Sequence, residues 1–441
     1  MPGRELMLFG TQQIGDDGHL KVGGCDVVEL AREFGTPLYV MDEVHLREQC
    51  REYRASFAER LPVVTICFAS KALITTAICR IMDQEGLSLE VSSAGELYTA
   101  MLAGFPPERI LLHGNFKLDE ELQMALDTGV ARVVVDSLSE LHRLAEMAHS
   151  AGTQADVWLR VVPGIKPQTH RYIQTGQIDT KFGLHISTGA AAEGIRAAME
   201  VEEVSLRGLH CHIGSQMFEL DSFARAAEVM IEFMAQIRDE FAVTLEELNL
   251  GGGLGIAYTL EDAPPSISEL ADVIAGAVHQ AANRYNYPVP EIVVEPGRSL
   301  VGTAGLTLYT VGPIKEIPGV RTYVAVDGGL SDNPRPALYG AEYTAVVANR
   351  ANQPQTMSVR LVGRHCEGDT LIEEVALSPV EEGDIIAVFS TGAYHYSMAS
   401  NYNRFPRPAM VLVRDGQADL IVRRESLDDL VRQDVMPERL R

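Results

Sequence analysis

Short apolar runs of β-forming residues alternate with amphipathic segments between about residues 60 and 295. The segments between the runs, such as "SLSELHRLAEMAHSAG", carry apolar residues at helical spacing. Eight strands alternating with helices predict an α/β fold, a (β/α)8 TIM-type barrel rather than an open sheet. The predicted strands are residues 63–69, 87–91, 109–113, 131–136, 155–161, 204–212, 245–250 and 291–295.

After residue 300 the pattern changes to strands and turns with few helical stretches, as in "DIIAVFS" and "AMVLVRDGQADLIVRR". The first residues of the chain also lie outside the barrel pattern. We therefore predict a barrel domain at residues 48–300 and a mostly antiparallel β domain, sandwich-like or barrel-like, formed by residues 1–47 together with 301–441. The polar stretch 163–183 is long enough to be a lid.

The composition limits the classes of partner. A formal net charge of −24 disfavours nucleic acids and anionic membrane surfaces, because both require a basic face. No apolar run approaches the roughly 20 residues that span a bilayer. The six cysteines form no CxxC pair and no signal peptide opens the chain, so we expect reduced thiols, no metal site and a cytoplasmic protein.

The carboxyl ends of the predicted barrel strands carry unusual residues, and these ends are where barrel enzymes bind their ligands. Lys71 ends the first strand with apolar sequence on both sides, and a buried ammonium is costly unless it is paired or neutralised. Gly251, Gly252 and Gly253 follow the seventh strand, and Arg298 follows the eighth. Glycine N–H groups beside an arginine predict a phosphate site, whereas the alternative is a plain turn.

A phosphate site opposite a strand-end lysine matches the needs of pyridoxal phosphate. Lys71 would then carry the cofactor as a Schiff base, and the alternative is a lysine that reaches solvent. Glu295 is placed to bind the pyridine nitrogen, which favours decarboxylation, although it could instead pair with Arg298. His212 either stacks on the cofactor ring or is a hydrogen-bonded core histidine.

Blocks of sequence around these strand-end residues form a series. They are "FASKA" around Lys71, "SSAGEL" at 92–97, "HGNFK" at 113–117, "DTKFGL" at 179–184, "HCHIGSQ" at 210–216, "NLGGGLGIAY" at 249–258, "EPGRSLVGTAG" at 295–305, "RPALY" at 335–339 and "GAYHYSMASNYNRFPRPA" at 392–409. In this order and spacing the chain resembles the diaminopimelate decarboxylases, which are pyridoxal-phosphate enzymes with an alanine-racemase-like barrel. The resemblance runs over nearly the whole chain.

The resemblance implies a role for each matching position. The cofactor would be held by Lys71, His212, Ser215, Gly251, Gly252, Gly253, Glu295, Arg298 and Tyr394. The substrate would be bound by Arg298, Arg335, Tyr339, Glu367 and Tyr394. Cys366 and Glu367 would be lent by a second subunit, so the resemblance implies a homodimer with shared active sites. Cys366 is also a candidate catalytic acid.

The implied reaction is the decarboxylation of meso-2,6-diaminopimelate to L-lysine and CO2, the last step of lysine biosynthesis. The free end of this substrate carries a carboxylate, which suits a bidentate Arg335, and an ammonium, which suits Glu367. Two alternatives stay open. One is a related decarboxylase of another amino acid (ornithine, arginine or a carrier-bound one) in secondary metabolism, and the other is a non-catalytic relative that binds a protein partner.

Two positions depart from the usual pattern of this family. "CEGDT" at 366–370 is one residue shorter than Cys-Glu-Ser-Gly-Asp, which could shift the loop that carries Cys366 and Glu367. The second predicted strand ends in Glu90, where the family usually has aspartate. A longer carboxylate could still reach the cofactor, so the cofactor assignment is unaffected. The role of Glu90 itself stays open.

Overall fold

Parallel strands and helices alternate through the middle of the computed structural model, which describes residues 6–165 and 179–441. Its strands are β1 (Gln13–Ile14), β2 (Leu20–Val22), β3 (Cys25–Asp26), β4 (Leu38–Asp42), β5 (Val64–Ala69), β6 (Ser88–Val91), β7 (Ile110–Leu112), β8 (Arg132–Val135), β9 (Ala155–Val162), β10 (Leu184–His185), β11 (Val204–His210), β12 (Glu247–Asn249), β13 (Glu291–Val294), β14 (Gly305–Ile317), β15 (Arg321–Val326), β16 (Ala345–Val347), β17 (Met357–Val362), β18 (Thr370–Leu377), β19 (Ile385–Val388), β20 (Ala409–Arg414) and β21 (Gln417–Val422). Its helices are α1 (Val27–Phe34), α2 (Glu43–Ala58), α3 (Thr76–Gln84), α4 (Ala94–Leu102), α5 (Asp119–Thr128), α6 (Leu138–Ala151), α7 (Ala190–Glu200), α8 (Asp221–Phe241), α9 (Ile267–Arg284), α10 (Arg298–Val301), α11 (Arg335–Tyr339) and α12 (Leu427–Val431). Residues 166–178 of the stretch suggested as a lid lie outside the described residues.

Contacts divide the chain into two compact units. The barrel unit comprises residues 47–256 and 263–300, and the β unit comprises residues up to 46, 257–262 and 301–441. The domain bounds that we predicted from the sequence assign 257–262 to the barrel, whereas this segment belongs to the β unit. Its backbone explains the difference, because the carbonyl of Tyr258 accepts from Thr344 Oγ1 over 3.0 Å and that of Ala257 accepts from Ser390 Oγ over 2.9 Å.

In the barrel unit, eight parallel strands form a closed ring. Their order is β9, β11, β12, β13, β5, β6, β7 and β8, and β8 pairs again with β9 to close the barrel. Each ring strand lies within one of the eight predicted runs, apart from one extra residue at the end of β9. The predicted (β/α)8 barrel is therefore confirmed, and the carboxyl ends of all eight strands meet at one rim.

Three helices of the barrel unit begin at serine side chains that cap them, and two of these serines lie two residues after a strand end. The N-caps Ser93 of α4, Ser137 of α6 and Ser266 of α9 each accept a hydrogen bond from the backbone N–H three residues later. These caps fix where each strand-to-helix loop ends. No helix among the described residues is both long and apolar enough to cross a membrane.

The β unit contains a mostly antiparallel sheet whose order is β18, β17, β15, β14, β4, β20 and β21. β19 pairs with β14 and β16, and β1, β2 and β3 form a small separate sheet. β4 comes from the amino-terminal segment, yet it lies between β14 and β20. The first residues of the chain and the residues after 300 therefore share one sheet, and their buried side chains share one core.

Candidate active site

Lys71 lies at the carboxyl end of β5, in a short 3-10 helix formed by Ser70–Ala72. Its Nζ lies 3.2 Å from Oε1 of Glu90, which is buried in β6. The side chain of Lys71 is 47% exposed, so the ammonium is both paired and accessible from the rim of the barrel. Glu90, the residue that replaces the usual aspartate, thus reaches the lysine.

Glu295 follows β13 and is only 6% exposed. Asn249 Nδ2 donates to its Oε1 over 2.6 Å, and Nε2 of His113 lies 2.9 Å from the same oxygen. Nε2 of His210 lies 3.2 Å from Oε2. The partners that the structure describes for Glu295 are therefore two histidines and an asparagine.

The charge state of this cluster follows from its surroundings. Burial alone would raise the pKa of Glu295, but His113 and His210 outweigh that effect and hold this pKa well below its ordinary value. Burial lowers the pKa of His210 to about 3 against the attraction of Glu295, so this imidazole is neutral and acts as an N–H donor. Glu295 is accordingly a buried, ionised carboxylate, which suits a protonated ring nitrogen.

The three glycines after β12 are explained by close backbone packing. A Cβ atom on Gly252 would lie 2.0 Å from the carbonyl oxygen of Glu295, and one on Gly253 would lie 2.4 Å from that of Gly214. This packing brings the glycine segment against the loop that carries Ser215. Nη2 of the buried Arg298 donates to Oγ of Ser215 over 3.0 Å.

His212 is a half-buried imidazole next to the glycine segment. A Cβ atom on Gly251 would lie 2.8 Å from its Nδ1. Burial first, and then the positive charge of Lys71, lower its pKa well below the ordinary value, so the ring is neutral. A neutral ring of this kind suits stacking on an aromatic cofactor better than carrying charge.

This donor set fits pyridoxal phosphate. One end of the rim offers a hydroxyl and a guanidinium beside glycine backbone, which suits a phosphate group. The centre offers the buried carboxylate of Glu295, which its histidine and asparagine partners hold ionised. This carboxylate suits a pyridinium nitrogen. Lys71 supplies a primary amine at the rim of the same barrel.

Several residues that line this centre were not predicted from the sequence. Arg160 in β9 is buried, its guanidinium lies 4.1 Å from the ring centroid of Phe182, and its Nε lies 3.9 Å from Asp136 Oδ1. His113, His210 and Asn249 also escaped assignment. The signal that could have found Arg160 and His210 is a polar residue in the last half of an apolar strand, where no solvent-exposed position is expected.

In the β unit, Arg335 begins α11 and is 8% exposed. Its Nε donates to Tyr343 Oη over 2.9 Å. Its guanidinium lies 5.4 Å from the ring centroid of Tyr339 and 5.5 Å from that of Tyr394. Two residues implied by the resemblance, Tyr339 and Tyr394, therefore lie around a third, the buried Arg335. Their aromatic rings shield its guanidinium from water.

Cys366 and Glu367 lie on the exposed loop between β17 and β18. Oε1 of Glu367 accepts a hydrogen bond from the hydroxyl of Tyr402, and Glu367 lines a groove of about 880 Å³ in the β unit. No hydrogen bond or ion pair in the described part of the chain joins Glu367 to Arg335. Asn333, which the sequence analysis did not single out, lines the same groove, and its buried side-chain amide has no hydrogen-bond partner among the described residues.

Comparisons with known proteins agree with this donor set. The chain matches the family described as "Pyridoxal-dependent decarboxylase, pyridoxal binding domain" over residues 44–302. It is 48% identical over 431 residues to the diaminopimelate decarboxylase of Bacillus subtilis (strain 168), which covers 98% of each chain. It resembles the crystal structure of diaminopimelate decarboxylase from M. jannaschii in complex with L-lysine, with a TM-score of 0.92, 37% identity and coverage of 98% of this chain and 100% of that one. It also resembles the enzyme from Helicobacter pylori complexed with L-lysine, with a TM-score of 0.84, 30% identity and coverage of 92% and 98%.

Proposed function

This chain belongs to the pyridoxal-dependent decarboxylase family, and we propose that it decarboxylates meso-2,6-diaminopimelate to L-lysine and CO2, the last step of lysine biosynthesis. The observation that carries the proposal is the similarity to diaminopimelate decarboxylases over nearly the full length of the chain. The buried Arg335 supports the assignment of a substrate with a distal carboxylate. Reduced cysteines and a biosynthetic role together favour work in the cytoplasm.

The cofactor of the proposed reaction is pyridoxal phosphate, held mainly by residues of the barrel unit. Lys71 would bind it covalently through Nζ, His212 would stack on its ring, and Glu295 would bind its pyridine nitrogen. The phosphate would be bound by Ser215, Gly251, Gly252, Gly253, Arg298 and Tyr394. When bound, the cofactor supplies an acceptor for the electron pair that is left when the bond between Cα and the carboxylate breaks.

Residues of the barrel unit set the charge on which that chemistry depends. Glu295 stays ionised because Asn249 and His210 hydrogen-bond to it and His113 lies 2.9 Å from it, so a proton on the ring nitrogen is stabilised. Glu90 pairs with the ammonium of Lys71 and keeps it directed to the rim. Both contacts exist in the protein before cofactor and substrate bind, which lowers the cost of reorganisation.

The free end of the substrate is recognised by the β unit. Arg335 can bind its carboxylate through two parallel N–H bonds, and the surrounding rings of Tyr339 and Tyr394 strengthen this bond by excluding water. A substrate without a distal carboxylate, such as ornithine, would leave this buried guanidinium without its anion. Arg298 is a further candidate for a substrate carboxylate.

A second copy of the chain would complete each site. Cys366 and Glu367 lie exposed on a short loop, so they are available to a neighbouring subunit, and we propose a homodimer with shared active sites. Glu367 would bind the distal ammonium. Cys366 would donate a proton to the carbon that has lost CO2.

Product analysis tests the function directly. The purified protein is loaded with pyridoxal phosphate and offered meso-diaminopimelate, L-ornithine, L-arginine and L-lysine in parallel. We expect L-lysine and CO2 from meso-diaminopimelate alone. Turnover of another amino acid in its place would favour the related decarboxylase, for which the shortened "CEGDT" is the supporting observation.

A further inference from the structure

Asp369 closes the short loop that carries Cys366 and Glu367. Its Oδ2 accepts from the backbone N–H of His365 over 3.0 Å and lies 2.6 Å from Nδ1 of the same histidine. Its carbonyl accepts from the N–H of Gly363 over 2.8 Å. Only Cys366, Glu367 and Gly368 lie between the two closing residues, so the loop has little freedom once it is closed.

The same carboxylate reaches a second loop. Oδ1 of Asp369 accepts from the backbone N–H of Leu330 over 2.7 Å. The side chain is 4% exposed, so its bonds to His365 and Leu330 are formed by a buried carboxylate. Leu330 lies five residues before Arg335, so one side chain bonds to both the loop with Glu367 and the segment that leads into the arginine.

Two glycines leave the room that this carboxylate occupies. A Cβ atom on Gly329 or on Gly363 would lie 2.1 Å from Oδ2 of Asp369. Gly329 also adopts a φ of +145°, a backbone angle that residues with a side chain rarely adopt. Both segments are therefore shaped around the carboxylate.

His365 adds a second bond between the loops. Its Nε2 accepts from the backbone N–H of Ser331 over 3.3 Å, so its Nδ1 carries the proton that is donated to Asp369. The ring packs edge-on against Phe405 at 4.9 Å and is stacked with Tyr402 at 6.0 Å between centroids. Tyr402 is the residue whose hydroxyl donates to Glu367.

We propose that His365 and Asp369 are positioning residues for substrate recognition: together they form a clasp that holds the loop of Cys366 and Glu367 in register with the segment leading into Arg335. The inference rests on the proposed function, since it assigns the recognition of the distal ammonium and carboxylate to Glu367 and Arg335. Because Cys366 and Glu367 would serve the neighbouring subunit while Arg335 serves its own, the clasp would link the two sites of a dimer.

Hydrogen exchange of the holoenzyme without substrate tests the clasp itself. We expect Asp369→Asn to speed exchange of the backbone N–H groups of Leu330 and His365 about tenfold or more, because a buried charged acceptor is lost from both. Asp419→Asn, which removes one exposed carboxylate from β21 of the same unit, is the matched control. Unchanged exchange at both N–H groups in Asp369→Asn would overturn the proposal.

Two histidine variants separate the two bonds of the ring. His365→Asn retains a donor near the Nδ1 position and loses the acceptor for Ser331, so we expect faster exchange at Ser331 alone. His365→Gln retains an acceptor near the Nε2 position and loses the donor to Asp369, so we expect faster exchange at His365 and Leu330. These variants also provide the test if Asp369→Asn does not fold.

Kinetics distinguish positioning from a merely structural role. We expect Asp369→Asn to raise KM for meso-diaminopimelate about tenfold, more than it lowers kcat, with the absorbance of the bound cofactor unchanged. Faster exchange with wild-type kcat and KM would reject the positioning role. A wild-type protein without activity on meso-diaminopimelate contradicts the proposed function alone, because the exchange experiment uses no substrate.

Discussion

The centre around Glu295 and the loop around Glu367 hold their carboxylates in different ways. Glu295 is buried, and its partners come from the ends of three different barrel strands or their following loops, at His113, His210 and Asn249. Glu367 is exposed on a loop of a few residues and is held by the hydroxyl of Tyr402. The first carboxylate is fixed by the barrel itself, whereas the second depends on a local loop.

This difference separates two tasks. The chemistry of decarboxylation is common to every substrate of the family, so its groups benefit from a rigid centre whose charges are set before binding. In the proposed function the choice of substrate depends on the distal end, for which residues on α11 and on the loop before β18 are the proposed binders. Changes in the barrel unit should therefore alter catalysis of any substrate, while changes in the loop should alter KM for one.

Lys71→Ala should have the largest effect. Removing the amine that is proposed to bind the cofactor should lower turnover at least about a thousandfold and abolish the absorbance of the covalently bound cofactor. Carbon dioxide release and the visible spectrum are the measurements, and Lys315→Ala, at an exposed position in β14, is the control. Steady-state activity near the wild-type level would refute the assignment of Lys71.

Arg335→Ala should have the next largest effect, and it should appear mainly in KM. Losing the proposed bidentate partner of the distal carboxylate should lower kcat/KM for meso-diaminopimelate about a hundredfold, with KM raised at least as much as kcat is lowered. Arg335→Lys keeps the charge without the planar fork, so it should recover only part of the loss. Wild-type kinetics in Arg335→Ala would exclude a role in binding the distal carboxylate.

His210 should make the stability of the barrel unit sensitive to acid. Burial lowers the pKa of His210 from 6.5 to about 3, so between these values the unfolded chain binds a proton that the folded chain does not. The stabilisation is fully present above pH 6.5 and is lost as the pH falls toward 3. The free energy of unfolding of the apoenzyme should fall by about 1.4 kcal/mol per pH unit more steeply in the wild type than in His210→Gln.

Denaturant unfolding at several pH values measures this difference. His210→Gln is chosen because its amide can still donate to Glu295 while it does not titrate. Equal slopes in the two proteins would mean that His210 is protonated in the folded state. Glu295 would then have a charged neighbour, and the account of a neutral N–H donor would be wrong.

The sequence was informative about strands and their ends, and less so about contacts between them. Lys71 and Glu295 were found because the end of a barrel strand is a position that can be counted along the chain. The partners of Glu295 were missed because His113 and Asn249 lie far from it in sequence and meet it only when the barrel closes. The grouping of the amino-terminal segment with the residues after 300 followed from the end of the barrel pattern, but the parallel pairing of β4 with β20 left no local signal.

The shortened loop is a place where the sequence raised a question that no local pattern answers. "CEGDT" could shift Cys366 and Glu367, and the structure shows that its aspartate closes the loop. The compensating features are glycines at 329 and 363, which have no recognisable pattern until the carboxylate is placed between them. The length of the loop and the bond that closes it therefore have to be considered together.

Insertion of a serine between Glu367 and Gly368 should have the smallest effect and is the sharpest test of that view. The insertion restores the usual length of the family loop, and lengthening a short closed loop by one residue costs little conformational entropy. With the clasp of His365 and Asp369 intact, KM for meso-diaminopimelate should change by about twofold or less, and the cofactor absorbance should not change. In an Asp369→Asn background the same insertion should raise KM further, because the buried charged acceptor that closes the loop is then lost. A large rise in KM in the otherwise wild-type protein would mean that the short loop, and not the clasp, sets the position of Glu367.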